Sequence, residues 1–153
     1  MQVFEPTNSD PNIYIVMELM DCSLLDFLSQ VNVLNESQIA IIFSKIVSGV
    51  KHCHTEGFIH HDLKLENILL NIDNNGNITD VKLADFGLSK RSDEQLIAGP
   101  HTAGTPPYMA PEMLIKKTKF GNKIDSWSLG IILYELLFGQ TLFDSSDYIT
   151  LVK

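Results

Sequence analysis

Ile13-Tyr14-Ile15-Val16-Met17 is an unbroken apolar, β-branched run, the pattern of a strand buried on both faces. Polar residues return from Glu18 to Ser23, which reads as a connector, and Leu24 to Gln30 predicts a short helix. Asn35 stands three residues before Gln38, an N-cap with a capping-box partner. The helix it opens carries Ile39, Ile42, Phe43, Ile46, Val47 and Val50 at helical spacing, and Gly57 supplies a stop. Asn67 to Ile72 and Ile78 to Ala84 read as two strands around the turn Asp73-Asn74-Asn75-Gly76. Arg91 to Pro106 is polar, contains glycine and proline, and is long enough to be a functional loop. Asp125 is placed to cap a strongly apolar helix from Ser126 to about Phe138. No repeat, low-complexity segment or internal linker interrupts this order.

At 153 residues the chain has one domain's length, and its 44% hydrophobic and 20% charged residues fit a soluble globular protein. A net charge of −8 leaves no basic stripe for nucleic acid. Two cysteines without framework spacing, Cys22 and Cys53, fit a reducing compartment, so a cytoplasmic location is expected, with the nucleus as the alternative. The polar opening from Met1 to Asp10 lacks the apolar core of a secretory signal. The most apolar run, Ser126 to Phe138, is too short to span a bilayer and contains Glu135. His52, Cys53, His54, His60 and His61 lack the paired intervals of a structural zinc site. The Asp73 turn lacks the closing glutamate of a calcium loop, so a plain hairpin turn is expected.

The chemistry concentrates in Ile59-His60-His61-Asp62-Leu63-Lys64-Leu65-Glu66-Asn67, followed by Asp85-Phe86-Gly87. Phosphoryl transfer needs an acid beside the acceptor hydroxyl, cations against the phosphate oxygens, and oxygen ligands for a metal. Asp62 suits the first task and Lys64, two residues on, can meet the transferred phosphate. Asn67 and Asp85 offer the hard oxygen donors that magnesium prefers.

His-x-Asp-Leu-Lys-x-x-Asn, then Asp-Phe-Gly, then Ala110-Pro111-Glu112 resembles the eukaryotic protein kinase family in order and spacing. Gly104-Thr105-Pro106-Pro107-Tyr108-Met109 and Asp125-Ser126-Trp127-Ser128-Leu129-Gly130 extend the likeness from about residue 12 to the end of the chain. The resemblance implies an α+β, protein-kinase-like fold that is mainly the helical C-lobe. Residues 1–153 would be a partial kinase domain with a hinge near 17–23, a catalytic loop over 60–67 and an activation segment over 85–112. It implies ATP and magnesium as cofactors and a protein with Ser or Thr acceptors as substrate, with no nucleic-acid or membrane partner. By the same likeness Asp62 is the catalytic base, Lys64 the phosphate-contacting lysine, and Asn67 and Asp85 the magnesium ligands. Met17 is the gatekeeper before the hinge residues Glu18, Leu19 and Met20; Leu69 and Ala84 line the nucleotide pocket. Ser23 sits where a ribose contact is often made, and Glu66 joins the nucleotide-binding set. His60 is expected to pack as a structural histidine near Phe86, and Asp125 to hold the catalytic-loop backbone.

Lys64 within Asp-Leu-Lys and Thr105 within Gly-Thr-Pro resemble the serine/threonine class. Leu83 to Lys90 is similar to calmodulin-dependent-type kinases and Glu18 to Asp21 to mitogen-activated types, so the group stays open. His61 stands where many kinases have an arginine that grips a phosphorylated activation loop, and His101 stands at the usual phosphosite, four residues before Thr105. The pair implies a loop that does not use a phosphate-arginine switch, with Thr102 and Ser92 as other acceptors. Leu65 replaces the usual proline.

No glycine-rich loop, Val-Ala-Ile-Lys strand or partnering helix glutamate occurs, so most of the phosphate-covering lobe is expected to be missing, as are late helices and an arginine for Glu112. The apolar helix left uncovered should make this chain poorly soluble alone. Two rival readings remain: a non-catalytic pseudokinase or truncated binding module, and a small-molecule kinase of similar fold. Gly104-Thr105-Pro106 and Ala110-Pro111-Glu112 weigh against the second, because they resemble blocks that shape a peptide-binding surface.

Overall fold

A computed structural model describes residues 2–4, 12–31, 34–99 and 103–143. Strand β1 (Gln2–Phe4) pairs antiparallel with β2 (Tyr14–Val16). The strand expected over 13–17 therefore forms, but it is not buried: Ile13, Tyr14, Ile15, Val16 and Met17 are all more than half exposed. Its apolar pattern calls for cover on both faces, and a two-stranded ribbon provides none.

β3 (Cys22–Ser23) runs into α1 (Leu24–Gln30), and Ser23 closes a capping box with Asp26. α2 (Glu36–Thr55) opens on the expected Asn35–Gln38 box and buries Ile39, Ile42, Ile46 and Val50 along one face. It stops where Gly57 adopts φ 80°, a conformation that favours glycine. β4 (Phe58–Ile59) leads into the loop that carries Asp62, and a single 3₁₀ turn over Leu65–Asn67 takes the first residue expected for the next strand. β5 (Ile68–Ile72) and β6 (Ile78–Leu83) then form a hairpin, with β3 added on its other edge in the order β3-β5-β6. The Asp73 carboxylate accepts the amides of Asn75 and Asn77 and the side-chain amide of Asn77, so the turn itself occupies the oxygens a cation would need.

Beyond the hairpin, β7 (Lys90–Arg91) pairs with β4, and β8 (Leu96–Ile97) pairs with β9 (Lys119–Phe120). α3 (Lys123–Phe138) is the most apolar helix. It begins three residues earlier than expected, and Asp125 lies inside its first turn and does not cap it. The carboxylate is turned inward to other donors.

Two apolar clusters fix this arrangement. The larger joins Leu24 of α1, Ile42 and Ile46 of α2, Ile68 and Leu70 of β5, and Ile132 of α3, none more than 1% exposed. Each such side chain contributes roughly 1.5–3 kcal/mol on burial. The smaller joins Ile59, Met109, Ala110, Met113 and Ile124, with Leu96 and Phe120 packed against it. α2 and β6 approach closely at Gly49, where a β-carbon would lie 3.1 Å from Leu83.

Candidate active site

Asp62 is almost fully buried, and its carboxylate is held from three directions. The Thr105 hydroxyl donates to Oδ1 at 2.8 Å. Lys64 Nζ lies 3.3 Å from Oδ2 and also donates to Thr105 Oγ1 at 3.0 Å. The Asn67 side-chain amide donates to the Asp62 backbone carbonyl at 2.9 Å and to Oδ2 at 3.3 Å. An acid, a lysine, a hydroxyl and an amide thus share one small volume, the carboxylate oriented by charge-assisted bonds.

The backbone beneath them is fixed by α3. The two oxygens of Asp125, 1% exposed, accept the backbone N–H of His60 at 2.9 Å and of His61 at 3.0 Å. His54, in the last turn of α2, adds its Nε2 to the same carboxylate at 2.7 Å. These bonds hold His61 at φ 75°, a left-handed conformation costly for a side-chain-bearing residue unless its surroundings dictate it. His60 packs its ring against Phe86 with centroids 4.8 Å apart. Its Nδ1 faces the Asp62 N–H at 3.4 Å and its Nε2 faces the Ala84 carbonyl at 3.0 Å. His60 therefore joins the Asp62 loop to the residue before Asp85.

Asp85 is exposed, at φ 58°, and its Oδ1 accepts the Gly87 amide at 3.2 Å. A β-carbon at Gly87 would fall 3.0 Å from that oxygen. Asn67 meets Ala84, the residue before Asp85, at one end of the β5–β6 hairpin, where the Ala84 amide donates to the Asn67 carbonyl at 2.9 Å. The connector is fastened to the same sheet, because the Asp21 amide donates to the Leu70 carbonyl and Ser23 pairs with Leu69. Leu69 faces away from its buried neighbours Ile68 and Leu70, as strand alternation requires, and is half-buried with Ala84 and Met20.

The sheet sets Leu69 opposite Ser23 and Lys82, and brings Ala84 to Asn67. It gives other tasks to two of the expected residues. The Ser23 hydroxyl is engaged with Asp26 in the cap of α1, and Glu18 is exposed and ion-paired with Lys82 of β6. Glu66 is exposed, while Met17 and Leu19 lie in the uncovered stretch. His101 and Thr102 are outside the described residues. Among the described residues no group of three His, Cys, Asp or Glu could hold a metal. Thr105 was legible only as a class marker; its bond to Asp62 links positions 43 residues apart in sequence.

The protein kinase domain family matches residues 1–152. The chain belongs to the protein kinase family. It is 43% identical over 153 residues to NUAK family SNF1-like kinase 2 of Rattus norvegicus, covering 99% of this chain and 23% of that protein. It is 41% identical over 141 residues to serine/threonine-protein kinase GL21140 of Drosophila persimilis, covering 92% of this chain and 18% of the relative. NUAK family SNF1-like kinase 1 of Homo sapiens is 38% identical over 154 residues, which is 100% of this chain and 22% of the relative. The chain thus spans about a fifth of the length of the curated relatives it matches.

Protein kinases use ATP with a divalent metal and act on protein substrates. The donor set here fits such a metal. The Asn67 amide nitrogen is spent on Asp62, which leaves its carbonyl oxygen, and Asp85 keeps one carboxylate oxygen beyond its bond to Gly87. Two protein oxygens suit a cation that keeps waters and takes its other ligands from substrate phosphates.

A third buried acid, Glu135, lies behind the Gly-Thr-Pro block. The Tyr108 hydroxyl donates to Glu135 Oε2 at 2.7 Å. Burial raises the Glu135 carboxyl above its ordinary range, only partly offset by the Tyr108 bond. Burial, with the Glu135 contact, also drives the Tyr108 phenol far up, so it stays a donor.

Proposed function

We propose that this chain is the hinge-to-helix part of a serine/threonine protein kinase catalytic domain, with the hinge near 17–23, the catalytic loop at 60–67 and the activation segment at 85–112. The reaction transfers the γ-phosphoryl group of ATP to a Ser or Thr hydroxyl of a protein. The observation that carries this reading is the Asp62 carboxylate held by Thr105, Lys64 and Asn67.

In this reading Asp62 orients the acceptor hydroxyl and takes its proton as the new O–P bond forms and the bond from the γ-phosphorus to the bridging oxygen breaks, ADP leaving with that oxygen. Lys64, already within reach of Asp62, neutralises charge on the transferred group. Asn67 and Asp85 would hold magnesium, which supplies charge neutralisation at the phosphates. Met20, Leu69 and Ala84 form the wall on which adenine rests, and Glu18 and Glu66 stand at its rim. Ser23 reaches a ribose only by giving up its cap bond. A cytoplasmic location is part of the same proposal.

The test is the full-length protein with MgATP and Ser- and Thr-containing peptides. Asp62→Asn should lower turnover by roughly 10²–10⁴-fold, with folding checked by thermal unfolding. Unchanged turnover in the variant would end the assignment of Asp62 as the base, and a folded parent that binds ATP and phosphorylates nothing would support the non-catalytic reading instead. Phosphorylation of a small hydroxylated metabolite in place of peptide would support the small-molecule alternative.

A further inference from the structure

Between Glu112 and Asp125 the chain carries four lysines, Lys116, Lys117, Lys119 and Lys123, and no acid. Without these four charges the chain would stand at −12, against its actual −8. All four are exposed, and among the described residues none is ion-paired with a carboxylate. Three of them crowd the turn that enters β9. There the Thr118 amide donates to the Ile115 carbonyl at 3.1 Å, and the Lys117 amide donates to the Ala98 carbonyl at 2.8 Å. The Ala98 amide donates back to the Thr118 carbonyl at 2.9 Å, so the turn is fastened to the end of β8.

In the β8–β9 ribbon Leu96 pairs with Phe120 and Ile97 with Lys119. Residues directly opposite share a face, and successive residues alternate between faces. Leu96 and Phe120 pack on the smaller apolar cluster, so Ile97 and Lys119 face outward. Ile97 is 53% exposed and Ile115, at the turn, is 59% exposed. This face thus sets two bare isoleucines among lysines that have no carboxylate partner. It also borders the candidate active site. The Phe120 ring lies against His61, centroids 5.6 Å apart, and His61 immediately precedes Asp62.

We propose that this outward face docks an acidic segment of the protein substrate, an apolar side chain of that segment resting on Ile97 and Ile115. This rests on the kinase reading above and names the substrate class of that same site. A cationic patch on an otherwise acidic protein attracts a short acidic segment, because the segment meets the patch alone. An extended anionic membrane would also face the negative remainder of the chain and be repelled. A second copy of the chain would bring its own −8.

The test uses the full-length protein and a fluorescein-labelled peptide with four Asp or Glu residues around one leucine, and no Ser or Thr. Its binding, read by anisotropy, should weaken as salt is raised. Lys119→Glu should weaken it about tenfold and Ile97→Asn about threefold, while Lys51→Glu, the same charge change on exposed α2, should leave it within about twofold. A Ser peptide extended by the acidic segment should have a kcat/KM about tenfold above one with Asn and Gln in its place, an advantage that Lys119→Glu erases. Equal binding of the acidic and the Asn/Gln peptides, or equal losses in Lys51→Glu and Lys119→Glu, would overturn the proposal. So would Lys119-dependent binding to phosphatidylserine vesicles, or Lys119-dependent dimers in light scattering, without peptide binding. Peptide binding does not require catalysis. An inactive parent therefore counts against the kinase reading alone, and the anisotropy still decides the docking face.

Discussion

At the scale of single residues, the site is defined by which atoms are left free. Thr105 uses its one proton on Asp62 and accepts from Lys64, so it fixes both charged groups at once. Hydrogen bonds to charged partners contribute about 1.5–3 kcal/mol. Thr105→Ala should therefore lower kcat by roughly 10- to 100-fold if that contribution acts on the reacting geometry. Thr105→Ser should retain most activity, and steady-state kinetics on the two variants checks both. Glu135 gives a pH signature. Its carboxyl is raised above the ordinary 4.5, so the folded protein keeps a proton that the unfolded chain has released. Stability from this residue is therefore complete below about pH 4.5 and falls as pH rises through the folded-state value. Glu135→Gln should flatten that part of the pH–stability curve, measured by urea unfolding at a series of pH values.

Elements matter here mainly where two of them are forced close. Gly104 adopts φ 138°, and a β-carbon there would meet Met109 at 3.1 Å and Met113 at 3.5 Å. Those methionines belong to the smaller apolar cluster, with Leu96 and Phe120 packed against it. Gly104→Ala should thus cost about 1–3 kcal/mol in backbone strain and displace Thr105 from Asp62, seen as a lower melting temperature together with a lower kcat. The capping boxes at Ser23 and Asn35 behave differently, because their partners lie three residues away and no tertiary contact is needed to form them. The Asn35 box was readable in the sequence for that reason. The inward turn of Asp125 was also anticipated, but its place in the helix was not: a residue that looks like a cap can serve backbone donors more than sixty positions away.

On the scale of the whole molecule, two apolar surfaces stand out. One is the stretch from Ile13 to Met17; the other is the outer face of α3, where Leu137 and Phe138 are 48% and 62% exposed. α3 is apolar nearly all round, the composition of a helix buried on every side. Among the described residues no helix is long and apolar enough to cross a membrane, so lipid-spanning burial does not explain it. We propose that further chain of the full-length protein covers both surfaces. Placing a charge on a covered strand should then be severe: Ile15→Asp in the full-length protein should cost at least about 2 kcal/mol, whereas an exposed site tolerates such changes within about 0.5 kcal/mol. Denaturant unfolding separates these outcomes. A near-neutral effect would show that Ile15 stays exposed in the larger protein.

The sequence by itself determined what depends on neighbours in the chain. The capping of α2, its buried stripe, the β5–β6 hairpin and the ordered residues Asp62, Lys64, Asn67 and Asp85 all follow from spacing and residue chemistry within short windows. Those windows also carried the family. Tertiary structure decided which atoms meet. Thr105 on Asp62, Asp125 under the loop, His60 on Ala84 and His61 against Phe120 each join residues from 24 to 65 positions apart. Such contacts are set by the packing of α3 and the β8–β9 pair, whose register no local pattern encodes. The same holds for burial of β2: an apolar run states a preference for cover, but only the assembled neighbours decide whether cover is there.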